Sequence, residues 1–301
     1  MNGIAVAIAL TAAQFALAGK AMPQTAAVVD PLEPEVRRAY EAISASVVRL
    51  RTDARVELTV PDPSSGLRSV VKRPLSVHGS GIVIGTTEVN GRTEYLVLTN
   101  HHVADPTNYV VQEGHFLKEN RNNTRAVPRD PEQTFIAVSE DGEDSPEDIP
   151  LIEIARDVRG DMTLLRTVGA DRELPVFGGH IGFDPAEVEA GMQVITTGYP
   201  NGGRRMIDSG EIVELNRRHE LGPVHYDFIL SLPVEHGQSG SPVFIARREG
   251  GDGVTFLLIG LLHAREKGTS YMVPSTLWQH ALEEAPGVSA FPGLLAEAGL
   301  H

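Results

Sequence analysis

The chain has 301 residues, of which 41% are hydrophobic and 22% charged, and this composition is typical of a folded globular protein. Its formal net charge of -14 argues against a nucleic-acid partner, because binding a polyanion requires a basic face. The chain has no cysteine, which excludes disulfides, zinc-thiolate sites and cysteine nucleophiles. Any chemistry must therefore use oxygen and imidazole groups.

The first residues form an apolar, alanine-rich segment from Ile4 to Leu17. This segment is too short to span a bilayer comfortably, and it contains the small-x-small sequence Ala16-Leu17-Ala18, which suits signal peptidase. We therefore predict a signal peptide over residues 1–18, a linker over 19–34 and a periplasmic or secreted protein. Because no Lys or Arg precedes the apolar run, a buried or interfacial apolar helix is the alternative. No later segment is long and apolar enough to be transmembrane.

After the linker the pattern changes from helical to β. From Glu35 to Leu50 apolar residues recur every three or four positions, which predicts a short amphipathic helix that runs into a strand. Short Val, Ile and Leu runs separated by Gly, Asn and Pro then predict strands, and Asn90-Gly91 predicts a tight hairpin. A helical pattern returns only from Thr276 to Glu284. The sequence therefore predicts an all-β fold with a short helix near each end.

An acidic stretch from Asp130 to Asp148, which includes the segment Ser139 to Asp148, interrupts the strand pattern. This stretch is dense in carboxylates and poor in apolar residues, so we predict an exposed loop. A calcium-binding loop is the alternative, but the spacing of the acids does not match the EF-hand pattern. No metal site is therefore predicted.

A glycine-rich hexapeptide, Gly237-Gln238-Ser239-Gly240-Ser241-Pro242, precedes an apolar strand. Glycines around a serine nucleophile let a substrate approach closely, and they allow the backbone N–H groups of Gly237 and Ser239 to point at one oxyanion. The lipase-type elbow G-x-S-x-G is excluded, because Ser241 stands where that motif has glycine. We predict that Ser239 is a nucleophile, and an ordinary Ser-Gly turn is the alternative.

Two adjacent histidines lie at the end of a predicted strand, in the segment Leu98-Thr99-Asn100-His101-His102-Val103. A histidine in this place can present its imidazole to a cleft and act as a general base near neutral pH. From the pattern alone either imidazole could serve. A surface turn and a metal site are the alternatives, but no H-E-x-x-H motif accompanies the pair.

An aspartate, Asp161, opens the apolar run Met162-Thr163-Leu164-Leu165 directly after a turn. A buried carboxylate in this position can accept the imidazole N–H, fix its tautomer and stabilise the imidazolium. Capping of the strand is the alternative role. Asp157 lies nearby, but it lacks a following apolar run and is the weaker candidate for the acid.

Together the three segments resemble the catalytic boxes of trypsin-like serine peptidases, in which the triad occurs in the order His, Asp, Ser. The resemblance is greatest to the bacterial high-temperature-requirement proteases and extends over roughly residues 36 to 280. In that family the catalytic histidine directly precedes a valine in a T-N-x-H-V box, which selects His102 over His101. The resemblance thus implies that Ser239 is the nucleophile, His102 the general base and Asp161 the orienting acid. Five further segments match in the correct order: Ser44–Leu50, Gly79–Ile84, Gly198–Pro200, Ser209–Ile212 and Tyr271–Ser275.

The resemblance implies two six-stranded antiparallel β-barrels with the active site in the cleft between them. We place the protease domain at residues 35–285, with the first barrel at about 45–170, the second at about 190–275 and a C-terminal tail at 286–301. The N-terminal helix is expected to cap the first barrel. No peptide-binding PDZ module is expected after Pro286, so the regulated oligomeric behaviour of that family is not carried over and no oligomeric state is predicted.

The specificity pocket is placed by the same resemblance. In the trypsin fold the base of the pocket lies six residues before the nucleophile, at Pro233, and its walls come from about His263 to Lys267, including Ala264 and Arg265. Because no carboxylate stands at the base, a preference for Arg or Lys is not expected. We predict a small or medium apolar residue before the scissile bond, and the basic wall leaves an acidic preference open.

Two residues of the glycine-rich hexapeptide depart from the commoner pattern. Ser241 replaces glycine, as in glutamyl endopeptidases, but His263 lies one residue further from Gly260 than the pocket histidine of that subgroup. Gln238 replaces the aspartate that pairs with a new N-terminal amine when trypsin is activated. Because a neutral amide cannot supply the buried counter-charge, we expect hydrogen bonds from the Gln238 side chain and packing of neighbouring loops to order the turn.

The predicted function is therefore that of a serine endopeptidase, which acts on protein or peptide substrates through an acyl-enzyme and needs no cofactor. Two alternatives use the same residues. One is an esterase with the same triad, and the other is a non-hydrolytic peptide-binding protein on a protease scaffold.

Overall fold

The computed structural model of the chain describes most of the predicted protease domain. The described residues are 27–28, 33–61, 68–105, 124–126, 133–137, 148–158, 160–182, 187–218, 226–249, 253–266 and 269–278. The predicted signal peptide, most of the linker and the C-terminal tail lie outside these residues.

Strands make up most of the described chain. In chain order they are β1 (Ala27–Val28), β2 (Val47–Pro61), β3 (Arg68–Val89), β4 (Arg92–Thr99), β5 (Thr124–Ala126), β6 (Gln133–Ile136), β7 (Ile149–Asp157), β8 (Met162–Thr167), β9 (His180–Ile181), β10 (Gln193–Gly198), β11 (Met206–Arg218), β12 (Tyr226–Leu230), β13 (Pro242–Glu249), β14 (Gly253–Glu266) and β15 (Thr269–Pro274).

The strands form two closed antiparallel barrels. In the first barrel the order is β3-β4-β8-β7-β6-β2, and pairing of β2 with β3 closes the ring. In the second the order is β13-β10-β11-β12-β15-β14, and pairing of β13 with β14 closes it. Strands β5, β1 and β9 add to the edges of β2, β13 and β14, respectively. The predicted all-β fold with two six-stranded barrels is therefore confirmed.

The hairpin between β3 and β4 follows from its turn residues. Val89 pairs with Arg92, and the two residues between them, Asn90 and Gly91, have φ values of 52° and 74°. Two left-handed residues in a row define the turn whose twist matches that of the flanking strands, and Asn-Gly is the sequence that adopts it most readily. The hairpin predicted from this dipeptide is confirmed.

The N-terminal helix, α1 (Pro34–Ile43), ends in a short 3-10 turn that leads into β2. Its Tyr40 is fully buried, and the ring lies 5.7 Å from that of Phe244 on β13 and 5.5 Å from that of Phe256 on β14. Arg248 of β13 also forms a 2.6 Å ion pair with Glu33 at the start of the helix. The expectation that this helix caps the first barrel is therefore wrong, because its aromatic side chain and its charged end bind the second.

The core consists of one apolar cluster within each barrel and a third that joins them. The joining cluster includes Ile82 and Leu98 from the first barrel with Ile195 and Phe244 from the second. Burial of these side chains stabilises the contact between the barrels. The strand ends on either side of this contact are consequently held at fixed positions.

Two sequence predictions, the C-terminal helix and the acidic stretch, fall at the edges of the described residues. The C-terminal helix is described only as a helical turn at residues 275–278. Residues 138–147 of the acidic stretch are not described, but Asp148 forms a 2.7 Å hydrogen bond with Arg51 and its side chain is only 3% exposed. The predicted exposed loop is thus wrong in both described parts of the stretch. Residues 133–136 form β6, which pairs with β2 and β7 and buries Thr134 and Ile136, and Asp148 is buried because it binds the buried guanidinium of Arg51. No helix among the described residues is long and apolar enough to cross a membrane.

Candidate active site

The short helix α2 (His101–Ala104) follows β4 directly and carries the candidate base. Strands β4 and β8 are neighbours in the first barrel, and Thr99 pairs with Thr163. The side chain of Asn100, at the end of β4, donates a 2.9 Å hydrogen bond to the carbonyl oxygen of Asp161. The pairing of these two strands therefore brings His102 and Asp161 together.

Both carboxylate oxygens of Asp161 contact His102. Oδ2 lies 2.7 Å from the imidazole Nδ1, and Oδ1 accepts a 3.0 Å hydrogen bond from the backbone N–H. Both side chains are mostly buried, so the contact is little weakened by solvent. Such a carboxylate fixes the orientation of the ring, so that the second nitrogen, Nε2, points away from Asp161.

Asp161 has a left-handed backbone with a φ of 45°, which aspartate tolerates better than most residues. Burial acts to raise the pKa of its carboxyl group, but the charge and hydrogen bonds of His102 and the charge of His263 outweigh it and hold the pKa below the usual value. The competing acid, Asp157, places its carboxylate against Gly160 in the same turn. Of the two aspartates, Asp161 is thus the one hydrogen-bonded to His102.

The neighbouring histidine has a different environment. His101 is buried, and its Nδ1 lies 3.1 Å from Thr163 Oγ1 while its Nε2 lies 3.9 Å from Asp105. Burial lowers the pKa of His101 and outweighs the charges of Asp105 and Asp161, which act in the opposite direction. A buried imidazole with these contacts packs within the first barrel.

The turn that carries Ser239 belongs to the second barrel but is bound to a strand of the first. Ser80 of β3 donates from its backbone N–H to the Ser239 carbonyl oxygen at 2.8 Å and from its hydroxyl to the Gly237 carbonyl oxygen at 3.0 Å. The same hydroxyl accepts a 3.0 Å hydrogen bond from Tyr199 N–H. One residue of the first barrel therefore holds both ends of the Gly237–Ser239 segment.

Close packing requires glycine at Gly240. It has a φ of 83°, and a Cβ there would overlap the Ser80 carbonyl oxygen and the Thr99 hydroxyl. Gly79 packs against Val103, the residue after His102, and a Cβ on Gly79 would lie 3.2 Å from the Ser239 carbonyl oxygen. The structure thus brings the three predicted segments to one place at the junction of the barrels.

Gln238 is 2% exposed and uses both ends of its amide. Its Oε1 accepts a 2.6 Å hydrogen bond from Glu235 N–H, and its Nε2 donates to Asp208 Oδ2 at 3.0 Å. The hydrogen bonds expected of the Gln238 side chain are therefore present, and their role in ordering the turn stays a prediction.

Sequence reasoning missed a second buried carboxylate, Asp227 at the start of β12. It is 0% exposed, and its Oδ2 lies 3.2 Å from His263 Nε2. On its other side, His263 places Nδ1 3.8 Å from Asp161 Oδ2. The available signal was the run Phe228-Ile229-Leu230 after Asp227, because the same pattern of an acid before an apolar strand identified Asp161.

The predicted pocket residues lie in two segments of the second barrel, one before the Ser239 turn and one on β14. Pro233 is exposed, between β12 and the Ser239 turn, while its neighbours Leu232 and Val234 are buried. Ala264 and Arg265 lie on β14, but the structure does not describe their side chains. His263 is the pocket candidate whose contacts are described, and its imidazole lies between two carboxylates.

Two solved structures of a variant of the HtrA-type protease AlgW are similar in fold. The one with a tripeptide is 15% identical with a TM-score of 0.50, and the match covers 82% of this chain and 62% of that chain. The one with a decapeptide is 16% identical with a TM-score of 0.51, and the match covers 87% and 67%. This chain therefore spans less than two thirds of the length of the first. At these identities the likeness concerns the fold alone, and no curated protein matches the sequence.

A comparison with protein families matches the part of the chain that contains the three candidate segments. The model described as the trypsin-like peptidase domain matches residues 79–250, which is more than half of the chain and includes His102, Asp161 and Ser239. With two antiparallel barrels and a His–Asp contact at their junction, the chain belongs to the trypsin-like peptidases, a family of serine proteases.

Proposed function

We propose that this protein is a serine endopeptidase that hydrolyses peptide bonds through an acyl-enzyme, with Ser239 as nucleophile, His102 as general base and Asp161 as orienting acid. The contact that carries the proposal is the two-point attachment of His102 to Asp161, at 2.7 Å and 3.0 Å. An ordinary buried ion pair does not require that one carboxylate bind both the ring and the backbone of the same histidine. A general base must keep one ring orientation through a proton transfer, and this requires hydrogen bonds of the kind that Asp161 makes to the ring and backbone of His102.

In the proposed reaction His102 removes the hydroxyl proton of Ser239 as its oxygen attacks the substrate carbonyl carbon. The imidazolium formed is stabilised by Asp161 and then protonates the leaving amine. Water hydrolyses the resulting ester of Ser239 by the same steps, with His102 again the base. The carboxylate of Asp161 stays ionised throughout, in accord with its lowered pKa.

The oxyanion site is supported by the hydrogen bonds of the turn. The N–H groups of Gln238, Gly240 and Ser241 donate to the carbonyl oxygens of Glu235, Leu262 and Gln238, respectively. The N–H groups of Gly237 and Ser239, in contrast, have no hydrogen-bond acceptor among the described residues. These are the two donors expected to stabilise the negative oxygen of the tetrahedral intermediate.

Substrates are proposed to be proteins or peptides. The similar AlgW structures contain a tripeptide and a decapeptide, which is in accord with peptides as the substrate class proposed for this chain. A small or medium apolar residue before the scissile bond, bound near Pro233 and His263, remains a proposal, as does a periplasmic or secreted location.

The decisive test is covalent labelling with a fluorophosphonate probe together with peptide hydrolysis. Ser239→Ala should abolish both without loss of fold, because one hydroxyl in a glycine-rich turn contributes little to packing. Ser241→Ala is the matched control, since its buried hydroxyl has no hydrogen-bond partner among the described residues and should be dispensable. Hydrolysis by Ser239→Ala at the parental rate would overturn the proposal.

The choice of base is tested by the two histidines. His102→Ala should be nearly inactive, whereas His101→Ala should be only impaired, because its ring contacts Thr163 and Asp105. The reverse ranking would reject His102 as the base. A parent protein that binds peptides but is never labelled would instead be a binding protein, and one that cleaves only esters would be an esterase.

A further inference from the structure

A buried histidine–aspartate pair of the second barrel lies against the acid of the first. His263 on β14 is 3.2 Å from Asp227 through Nε2 and 3.8 Å from Asp161 through Nδ1. Asp227 is 0% exposed and the ring of His263 is nearly so. The proposed mechanism uses neither residue.

The two nitrogens and the ring of His263 each have a close neighbour among the described residues. Each nitrogen faces a carboxylate, and the ring makes an edge-to-face contact with Tyr271 on β15 at a centroid distance of 6.4 Å. A buried carboxylate is costly unless it is paired, so Asp227 favours the ring orientation in which Nε2 faces it. That orientation directs Nδ1 towards the oxygen of Asp161 that contacts His102.

We propose that His263, oriented by Asp227, is a positioning residue for Asp161 and through it for His102. The inference rests on the proposed function. It deepens that function by adding a second-barrel contact to the acid, so that the Asp161 carboxylate is held between two imidazoles rather than by His102 alone. The alternative is that the pair only stabilises the second barrel.

A double-mutant cycle distinguishes the two roles, with the rate of fluorophosphonate labelling as the readout because it needs no known substrate. In the parent, His263→Gln should slow labelling about tenfold, as for an outer partner of a functional imidazole or carboxylate, and Asp227→Asn should slow it less. In an Asp161→Asn background neither change should slow labelling further, because the carboxylate that they position is absent.

Thermal unfolding separates loss of fold from loss of positioning. If His263→Gln does not fold, Asp227→Asn provides the same test, because it preserves the volume of the buried side chain. Equal slowing in both backgrounds, or no slowing in the parent, would overturn the inference while leaving the proposed function intact. Absence of labelling in the parent itself would reject the proposed function.

A different region carries an independent inference. A cavity of about 780 Å³ is lined by four arginines and one glutamate, Glu173, with apolar walls that include Val48 and Leu174. The arginines are Arg49, Arg172, Arg204 and Arg205. In a chain with a net charge of -14, this arginine cavity has the opposite sign to the molecule as a whole.

Arg49 is the buried member of the set, at 3% exposure. Its Nη1 donates a 2.8 Å hydrogen bond to the Gly202 carbonyl oxygen, while Nε has no hydrogen-bond partner and the guanidinium has no ion pair among the described residues. A buried cation without an anion is costly. A carboxylate that entered the cavity would supply the missing charge and hydrogen-bond acceptor.

We infer that the arginine cavity binds an acidic peptide, whose carboxylates contact the guanidinium groups and whose apolar side chains contact the wall. The volume is within the range of small-ligand sites and accommodates a few residues. The probe is a short peptide of alternating Glu and Leu, and the control is the same peptide with Gln in place of Glu. Calorimetry uses Ser239→Ala protein, so that the proposed active site cannot cleave either peptide.

The Glu peptide should bind and the Gln peptide should not. Arg49→Met should weaken binding at least about tenfold, as for loss of one charge-assisted pair, and the exposed Arg204→Gln should weaken it less. Arg156→Gln, on an exposed part of β7, should leave binding unchanged. Equal binding of both peptides, equal effects of Arg156→Gln and Arg49→Met, or no binding at all would overturn the inference.

Discussion

The two barrels hold their functional groups in different ways. The first barrel holds His102 and Asp161 by side-chain hydrogen bonds between neighbouring strand ends. The second holds Ser239 in a turn whose carbonyl oxygens are bound by Ser80 of the first barrel. The proposed base and acid are thus positioned within one barrel, whereas the position of the proposed nucleophile depends on contact between the two barrels.

This difference predicts different responses to substitution. A change at His102 or Asp161 that preserves shape should affect the chemistry of the His–Asp pair and leave the packing of the barrels intact. A change in the Ser239 turn should disturb both the chemistry and the packing of the barrels, because a residue such as Gly240 serves both.

The largest effect is expected at Asp161. Asp161→Asn should lower turnover by about four orders of magnitude, the size known for the same change in the paradigm His-Asp-Ser triad. The cause is that an amide can donate to Nδ1 and so stabilise the wrong tautomer of His102. Steady-state peptide hydrolysis measures the effect, with thermal unfolding to show that the fold is retained.

Asp157→Asn is the matched control for that experiment, because Asp157 lies in the same turn but places its carboxylate against Gly160. It should keep most of the activity. If Asp157→Asn removed activity and Asp161→Asn did not, the acid of the first barrel would have to be reassigned.

The next largest effect is expected at Gly240. Gly240→Ala forces an alanine to a φ of 83° and into the Ser80 carbonyl oxygen, at a cost of about 1–2 kcal/mol for the backbone and about 1–3 kcal/mol for overpacking. Because the turn must move, turnover should fall by about a hundredfold, comparable to loss of an oxyanion donor. Denaturant unfolding and hydrolysis rates measure the two effects.

Gly91→Ala provides the comparison, since Gly91 has a φ of 74° but open space around its Cβ position. It should cost only the backbone term of about 1–2 kcal/mol and leave turnover unchanged. Equal losses of turnover in the two variants would show that the Ser239 turn does not depend on its contact with the first barrel.

The same contrast explains which features could be predicted from the sequence. The three segments that the structure brings together could be selected from the sequence because each expected chemical role imposes a local pattern, such as glycines around Ser239 or an acid before an apolar strand at Asp161. The pair of His263 and Asp227 could not be predicted, because this contact joins β12 and β14, which are separated by β15 in the barrel. Local patterns do not reveal such contacts.

Two wrong expectations have the same physical origin. The apolar period around Tyr40 predicted a helix but not that its ring would pack on Phe244 and Phe256. The acidic composition predicted exposure for Asp148, but Arg51 forms a buried hydrogen bond with it. In both cases a partner far away in the chain decides where the side chain lies.

A smaller effect is expected at Gln238. Gln238→Ala removes the acceptor for Glu235 N–H and the donor to Asp208, so the turn loses two hydrogen bonds but keeps its glycines and Ser80. Turnover should fall about tenfold, as when one hydrogen bond of about 1.4 kcal/mol is lost from the transition state. The control is Gln193→Ala, which changes a half-buried glutamine on β10 and should leave turnover unchanged. Equal turnover by the parent and Gln238→Ala would show that the hydrogen bonds of Gln238 do not order the turn.

The smallest effect on activity is expected at Glu94 in the first barrel. Its carboxylate accepts hydrogen bonds from Thr167 Oγ1 at 2.6 Å and Gly169 N–H at 2.8 Å. Burial acts to raise the pKa of Glu94, but these hydrogen bonds outweigh it and hold the pKa below the usual value. Glu94→Gln should cost about 1–3 kcal/mol of unfolding free energy at neutral pH and leave turnover unchanged.

The pH dependence of that cost follows from the lowered pKa. A depressed carboxyl pKa stabilises the fold fully above the ordinary pKa of about 4.3, and this stabilisation is lost as the pH falls through the lowered value. The difference in unfolding free energy between parent and Glu94→Gln should therefore shrink on acidification below about pH 4. A difference that stayed constant down to pH 2 would contradict the ionic role of Glu94.

The position of Ser80 has a consequence for how the protein loses activity on heating. Its backbone and hydroxyl together bind Thr99 of its own barrel and Tyr199, Gly237 and Ser239 of the other. Opening of either barrel near Ser80 must break the hydrogen bonds that shape the Ser239 turn, so even a local, reversible opening displaces Ser239, the proposed nucleophile. Heat inactivation should consequently begin below the global melting temperature and be recovered on cooling, as long as the barrels themselves remain folded.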